Sequence, residues 1–113
     1  MKGDGDSILL RGGQGKMRNK NEIIDQLRAL MPELRVQHHV RKIGIFGSFS
    51  RDQQTEASDI DLVVEFDRPV GMLAFVHLKA YIAGRLGLEV DLVTPDGLHP
   101  LIRDRVLHEV VYV

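Results

Sequence analysis

Residues 59–66, with the sequence DIDLVVEF, constrain the fold most strongly, because polar and apolar side chains alternate along them. A period of two residues indicates a β-strand with one apolar face and one largely acidic face. The apolar face consists of Ile60, Leu62, Val64 and Phe66, and the opposite face consists of Asp59, Asp61, Val63 and Glu65. A strand of this kind requires a hydrophobic layer on one side only.

Other parts of the chain predict the elements that supply this layer. Apolar residues at helical spacing indicate a helix starting near residue 19, where Asn19 and Glu22 form a candidate capping pair. Pro32 is expected to end that helix, because proline disrupts a helix interior. Residues 40–47 suit a buried strand in which Gly44 permits close backbone approach. Residues 72–86 suit a second helix that stops at Gly87.

The last third of the chain repeats the alternating pattern. Residues 88–93 read as a third strand with Asp91 on its polar face, and TPDG follows as a turn. Residues 98–107 suit a final helix, and the terminal VVYV suits a short strand. The pattern predicts an α/β (α+β) fold, a mixed sheet with helices on one face and an open acidic cleft on the other.

Length and composition limit the function classes. The chain has 113 residues, no cysteine and a net charge of −1, which suits one domain without disulfides or thiolate metal sites. The balanced charge and 5% aromatic content give no basis for direct nucleic-acid binding. No apolar run is long enough for a membrane span, and a cytoplasmic location is expected. Glycine-rich residues 1–18 are expected to be a flexible leader or tag, and residues 19–113 the domain.

Three carboxylates are predicted to share the polar face. Asp59 and Asp61 lie two residues apart on one strand, and Asp91 occupies the polar face of the third strand. If these strands are neighbours, facing Cβ atoms lie about 4.5–5.5 Å apart. Carboxylates this close repel one another unless a cation lies between them, and hard oxygen ligands suit Mg²⁺ or Mn²⁺. Two such ions can serve a phosphoryl displacement. Glu65 and Glu89 lie further along their strands and are expected to be solvated or to face a partner.

The segment before Asp59 suits phosphate binding. Gly47 and Ser48 form a turn whose small size lets backbone N–H groups approach an anion, and a following helical turn would add positive potential. Arg51 could hold a polyphosphate oxygen with its guanidinium fork. A phosphate-binding turn beside a metal site predicts phosphoryl transfer from a nucleotide triphosphate.

The stretch GSFSRDQQTEASDIDLVVEF resembles the signature of the minimal nucleotidyltransferases of the DNA polymerase beta superfamily, and LEVDLVTPDGL resembles their third-carboxylate strand. The resemblance covers roughly residues 20–113 and implies the nucleotidyltransferase fold with a four-stranded sheet. By position it implies metal ligation by Asp59, Asp61 and Asp91, which are also the catalytic residues. It implies nucleotide binding by Gly47, Ser48 and Arg51.

Within that family, a chain this short resembles the antitoxin half of a two-gene module whose other product is a helical HEPN ribonuclease toxin. The resemblance implies Mg²⁺- or Mn²⁺-dependent transfer of AMP from ATP to a toxin tyrosine, with two ions. Asp91 would act as base or as ligand of the ion that activates the acceptor.

One residue departs from the family pattern, because Asp52 stands where glycine usually follows the arginine. A carboxylate there could weaken triphosphate binding, or it could lie outside the pocket without effect. Asp52 therefore keeps open the alternative of an inactive antitoxin that neutralises its partner by contact alone. Transfer to a small molecule, as in antibiotic-modifying relatives, is a further alternative.

Overall fold

The computed structural model describes residues 19–47 and 59–113. In chain order the helices and strands are α1 (Lys20–His38), β1 (Val40–Phe46), β2 (Ile60–Phe66), α2 (Met72–Leu86), β3 (Val90–Val93), a 3₁₀ turn (Pro95–Gly97), α3 (Pro100–Glu109) and β4 (Val111–Tyr112). The leader or tag predicted for residues 1–18 lies outside the described residues.

The strands form one four-stranded sheet in the order β3-β2-β1-β4. β1 pairs antiparallel with both β2 and β4, and β2 pairs parallel with β3. The sheet is therefore mixed, as the alternating patterns predicted. The parallel pair places the polar faces of β2 and β3 side by side, which positions the candidate site.

The core lies between the sheet and the first two helices. The apolar face of β2 is completely buried at Ile60, Leu62 and Val64. The apolar stripes of α1 and α2 belong to the same cluster as these strand residues. Burial of each large side chain stabilises the fold by about 1.5–3 kcal/mol relative to exposure, so this layer dominates the stability.

Helix α1 begins where the sequence predicts. Asn19 Oδ1 accepts a hydrogen bond from the Glu22 N–H at 2.9 Å, and Glu22 Oε1 accepts one from the Asn19 N–H at 2.8 Å. This reciprocal capping box satisfies two of the amides that a helix N-terminus leaves unpaired.

The expected end of α1 near Pro32 is wrong, because the helix continues to His38. An interior proline costs about 3 kcal/mol through one lost hydrogen bond and a steric clash. Leu34 lies beyond the proline and is completely buried. The His39 N–H closes the helix on the Leu34 carbonyl oxygen. Packing of the last turn therefore offsets the proline.

The predicted close approach at Gly44 is confirmed. A Cβ on Gly44 would lie 2.7 Å from Val110 Cγ2 and 3.0 Å from Tyr112 Cδ1. Gly44 pairs with Val63 across β1 and β2, so this Cβ direction is that of the polar face. Tyr112 of the neighbouring strand β4 and Val110 just after α3 thus cover Gly44 on the polar face, and no larger residue fits there.

β3 and α3 begin later than the sequence patterns predict. β3 begins at Val90 rather than at residue 88, and α3 begins at Pro100 rather than at residue 98. Proline suits the first turn of a helix, and the His99 side chain accepts the Leu101 N–H at 3.1 Å, which completes the cap. None of the described helices is both long and apolar enough to cross a membrane.

Candidate active site

Two of the predicted carboxylates lie side by side on the polar face. Asp61 on β2 and Asp91 on β3 are direct partners in the parallel register. Neighbouring strands lie about 4.7–4.9 Å apart, and in-register residues point to the same face. The structure therefore brings together two aspartates that are far apart in the sequence.

Asp59 lies just before β2, and the Ile60 N–H donates to the Glu89 carbonyl oxygen at 3.0 Å, which anchors this end of the strand. Asp59 is exposed and two residues from Asp61. Within residues 19–47 and 59–113, no three Asp, Glu or His side chains converge closely enough to hold a metal ion. The in-register pair Asp61 and Asp91 fits a hard cation by donor chemistry. Metal ligation by Asp59, Asp61 and Asp91 stays a prediction.

Gly47 joins the end of β1 to this pair. Its φ of 75° lies in the left-handed region, and a Cβ at this position would collide with the Asp61 carboxylate. Only glycine combines that backbone geometry with so close an approach to the aspartate. The predicted phosphate turn therefore begins directly beside a predicted metal ligand.

Glu109 contacts the predicted phosphate turn, and the sequence patterns did not reveal this contact. The Gly47 N–H donates a hydrogen bond to Glu109 Oε1 at 3.1 Å. The terminal VVYV strand was the only sequence signal for this contact. When that strand pairs with β1, the residues just before VVYV lie opposite the residues just after Phe46. Helix periodicity alone carries no such information.

Glu65 does not belong to the aspartate pair. It forms ion pairs with Arg41 and with Lys42, the latter at 3.6 Å, and the Tyr112 hydroxyl lies 3.5 Å from its Oε2. The Glu65 side chain is 21% exposed, so it is partly solvated, and its predicted contact with a partner stays a prediction. Burial, and then the negative charge of Glu65, raise the pKa of Tyr112 above its ordinary value of 10.0.

The sequence matches a family model for a nucleotidyltransferase domain over residues 21–113. The chain belongs to this nucleotidyltransferase family. The resemblance seen in the two aspartate strands is thereby confirmed, and so are the nucleotidyltransferase fold and the enzyme class.

This nucleotidyltransferase is similar over most of its length to other small proteins. It is 45% identical over 92 residues to the protein adenylyltransferase MntA of Thermococcus cleftensis, covering 81% of this chain and 93% of the relative. A solved structure of a candidate minimal nucleotidyltransferase is similar with a TM-score of 0.72 and 31% identity, covering 85% of this chain and 97% of the other.

A further similar structure is a complex of two proteins. It contains a tri-AMPylated HEPN toxin of Shewanella oneidensis with its MNT antitoxin, and the match has a TM-score of 0.52 and 26% identity. This match covers 83% of the present chain and 67% of the other.

Three residues of the nucleotidyltransferase signature lie outside the described residues. Ser48 and Arg51, predicted to bind the nucleotide, fall there, as does Asp52, which departs from the pattern. Their roles stay predictions. Because residues 48–58 join Gly47 to Asp59, both of their ends lie at the described part of the site.

A cavity of about 600 Å³ opens at the other end of β2. Its walls include Glu65, Phe66, Phe75, Arg68 and Asp96. None of the three predicted metal ligands lines it. The cavity is therefore separate from the aspartate pair, although β2 runs from one to the other.

Proposed function

We propose that this nucleotidyltransferase is a metal-dependent antitoxin that transfers AMP from ATP to a tyrosine hydroxyl of a HEPN-type toxin partner. The observation that carries the proposal is the parallel register of Asp61 and Asp91 beside Gly47, within a nucleotidyltransferase fold. This arrangement places candidate metal ligands next to a turn suited to phosphate groups.

In the proposed reaction the acceptor oxygen forms a bond to the α-phosphorus of ATP, the bond to the pyrophosphate breaks, and the hydroxyl proton leaves the acceptor. Asp59, Asp61 and Asp91 would hold Mg²⁺ or Mn²⁺, two ions in all, which stabilise the charge that develops on the phosphoryl oxygens. Gly47, Ser48 and Arg51 would orient the triphosphate. Asp91 would take the proton or would hold the ion that activates the acceptor.

The comparisons support the protein acceptor. A relative that this chain matches over most of its length is named a protein adenylyltransferase. A similar structure contains an AMPylated HEPN toxin with its antitoxin, and another is a toxin–antitoxin complex with AMP-PNP, at a TM-score of 0.60 and 28% identity. A toxin tyrosine would supply the acceptor hydroxyl, and the cytoplasm is the proposed location. Residues 19–113 are the proposed catalytic domain.

Asp52 favours a second candidate function, neutralisation of the toxin by contact alone. A carboxylate in place of the usual glycine would oppose the binding of a triphosphate by charge repulsion. Transfer to a small-molecule acceptor has no comparable support among the described residues.

The test incubates the purified protein with Mg²⁺, labelled ATP and the HEPN-type product of the neighbouring gene. We expect label on the toxin, and we expect Asp59→Ala, Asp61→Ala and Asp91→Ala each to abolish it. The polar face carries these side chains, so their truncation leaves the main core intact. Asp104→Ala is the matched control, because it removes an exposed carboxylate from α3.

Circular dichroism of each variant checks that the fold survives. The decisive cellular measurement is growth during toxin expression. Loss of protection in the Asp59→Ala/Asp61→Ala double variant supports modification. Full protection by that variant, with the toxin unlabelled, would establish the contact-only antitoxin instead.

A further inference from the structure

Glu109 reaches Gly47 because of the register between β1 and β4. Val111 pairs with Ile45, and Tyr112 pairs with Gly44. Extending this antiparallel register by two residues on each strand places position 109 opposite position 47. The hydrogen bond from the Gly47 N–H to Glu109 Oε1 therefore continues the contact between the two strands with a side chain as acceptor.

The backbone around Glu109 is held on both sides. On one side the α3 helix ends at Glu109, and the Val110 N–H donates to the Val106 carbonyl oxygen at 3.0 Å. On the other side the Val113 N–H donates to the Ile43 carbonyl oxygen at 3.0 Å. Val110 packs against the backbone of Gly44, where no side chain intervenes. A carboxylate attached to this framework has little freedom to move away from Gly47.

Glu109 and Asp61 contact Gly47 from different directions. Glu109 accepts a hydrogen bond from the Gly47 N–H, and the Asp61 carboxylate lies where a Cβ on Gly47 would project. Because the peptide unit is planar, fixing the N–H direction also fixes the orientation of the whole peptide between Phe46 and Gly47. The start of the predicted phosphate turn is thus oriented relative to a predicted metal ligand.

We propose that Glu109 is a positioning residue for nucleotide binding, which acts by holding the Gly47 peptide in the orientation that the triphosphate requires. This inference rests on the proposed use of the Gly47–Ser48 turn for the phosphates. It assigns a role to the end of α3, to which neither the sequence motifs nor the family signature assigns one.

Two physical effects of Glu109 have opposite consequences. As a hydrogen-bond acceptor it orients the turn and favours triphosphate binding. As a negative charge near a polyanion it disfavours binding. Variants that separate the acceptor from the charge therefore decide which effect dominates.

Glu109→Gln keeps an acceptor oxygen at the same reach and removes the charge. Glu109→Asp keeps the charge but is shorter by one carbon–carbon bond, about 1.5 Å, which takes the carboxylate out of reach of the Gly47 N–H. Glu109→Ala removes both. Asp104→Ala, an exposed carboxylate on the same helix, controls for the loss of net charge.

We expect the KM for ATP to rise about tenfold in Glu109→Ala and Glu109→Asp, which is the upper end of the range for one hydrogen bond. Glu109→Gln should recover most of that loss, with kcat changed less than KM. The opposite grouping, in which Glu109→Asp resembles wild type and Glu109→Gln binds ATP more tightly, would overturn the proposal. An unchanged KM in Glu109→Ala would overturn it as well.

A second measurement needs no catalysis. Amide hydrogen exchange of Gly47, followed by NMR without nucleotide, should be slow in wild type and Glu109→Gln and faster in Glu109→Asp. Calorimetric binding of a non-hydrolysable ATP analogue should follow the same order.

If wild type transfers no AMP, the proposed function fails, while these two measurements still decide the role of Glu109. If Glu109→Ala does not fold, the comparison is made between Glu109→Gln and Glu109→Asp, provided that their melting temperatures match. Equal exchange and equal binding in that pair would refute positioning.

Discussion

Gly47 and Gly87 adopt similar left-handed backbones, with φ of 75° and 70°, but their surroundings differ. A Cβ on Gly47 would meet the Asp61 carboxylate, whereas a Cβ on Gly87 would have no heavy atom within 4 Å. The left-handed backbone of Gly47 therefore coincides with a close contact to Asp61, whereas that of Gly87 only ends helix α2.

This pair of glycines gives a matched test at the residue scale. Gly87→Ala should lower the free energy of unfolding by about 1–2 kcal/mol, the cost of a left-handed backbone for a residue with a Cβ. Gly47→Ala should cost more, because it adds the collision with Asp61, and it should also reduce AMP transfer. Denaturant unfolding and the transfer assay measure the two effects. Equal destabilisation of both variants would show that the Asp61 contact relaxes freely.

At the scale of elements, β4 links the site to a separate polar cluster. Tyr112 covers Gly44, and its ring lies under Lys42 Nζ, which is 4.3 Å from the ring centroid. Its hydroxyl faces Glu65, whose carboxylate forms ion pairs with Arg41 and Lys42. The strand that aligns Glu109 thus carries a titratable side chain that packs on the polar face of the sheet.

The raised pKa of Tyr112 predicts a pH dependence of stability. The folded state holds the phenolic proton more tightly than the unfolded state does, so this contribution is complete below pH 10.0. It is lost as the pH rises through the folded-state pKa. Tyr112→Phe keeps the ring over Gly44 but cannot ionise. We expect urea unfolding between pH 8 and pH 11, values that bracket the tyrosine pKa of about 10, to show a steeper loss of stability in wild type than in Tyr112→Phe. Parallel curves would contradict the assignment.

At the scale of the whole molecule, metal binding and folding are linked. Asp61 and Asp91 are brought into register only when β2 and β3 pair, so the unfolded chain lacks the proposed site. A cation that binds only the folded state stabilises it by mass action, by about 2.7 kcal/mol at a concentration one hundred times its dissociation constant.

We therefore expect the melting temperature to rise in millimolar Mg²⁺ with a non-hydrolysable ATP analogue. For a domain of this size, 1 kcal/mol corresponds to roughly 4–8 °C. Asp61→Asn should relieve repulsion between the carboxylates yet lose the response to Mg²⁺, whereas Asp104→Asn should respond as wild type does. A melting temperature that stays constant throughout the wild-type titration would argue against a metal site on this face.

The sequence by itself determined the elements and their faces. Alternation in residues 59–66 identified β2, and the Asn19–Glu22 pair identified the start of α1. These signals are local, because the strand period and the helix cap depend on residues within one or two turns of each other. The one strong local error was Pro32, where a buried residue further along the chain outweighed a local penalty.

Only the tertiary structure decided which residues meet. The parallel register pairs Asp61 with Asp91, and the antiparallel register of β4 brings Glu109 to Gly47 across 62 positions of sequence. The ion pair between Glu65 and Arg41 likewise depends on the pairing of β1 with β2. Strand order and register arise from the packing of the whole sheet, and a shift of one residue would turn each of these side chains to the other face. Local periodicity specifies which face a side chain occupies, whereas its partner depends on strands that are distant in the chain.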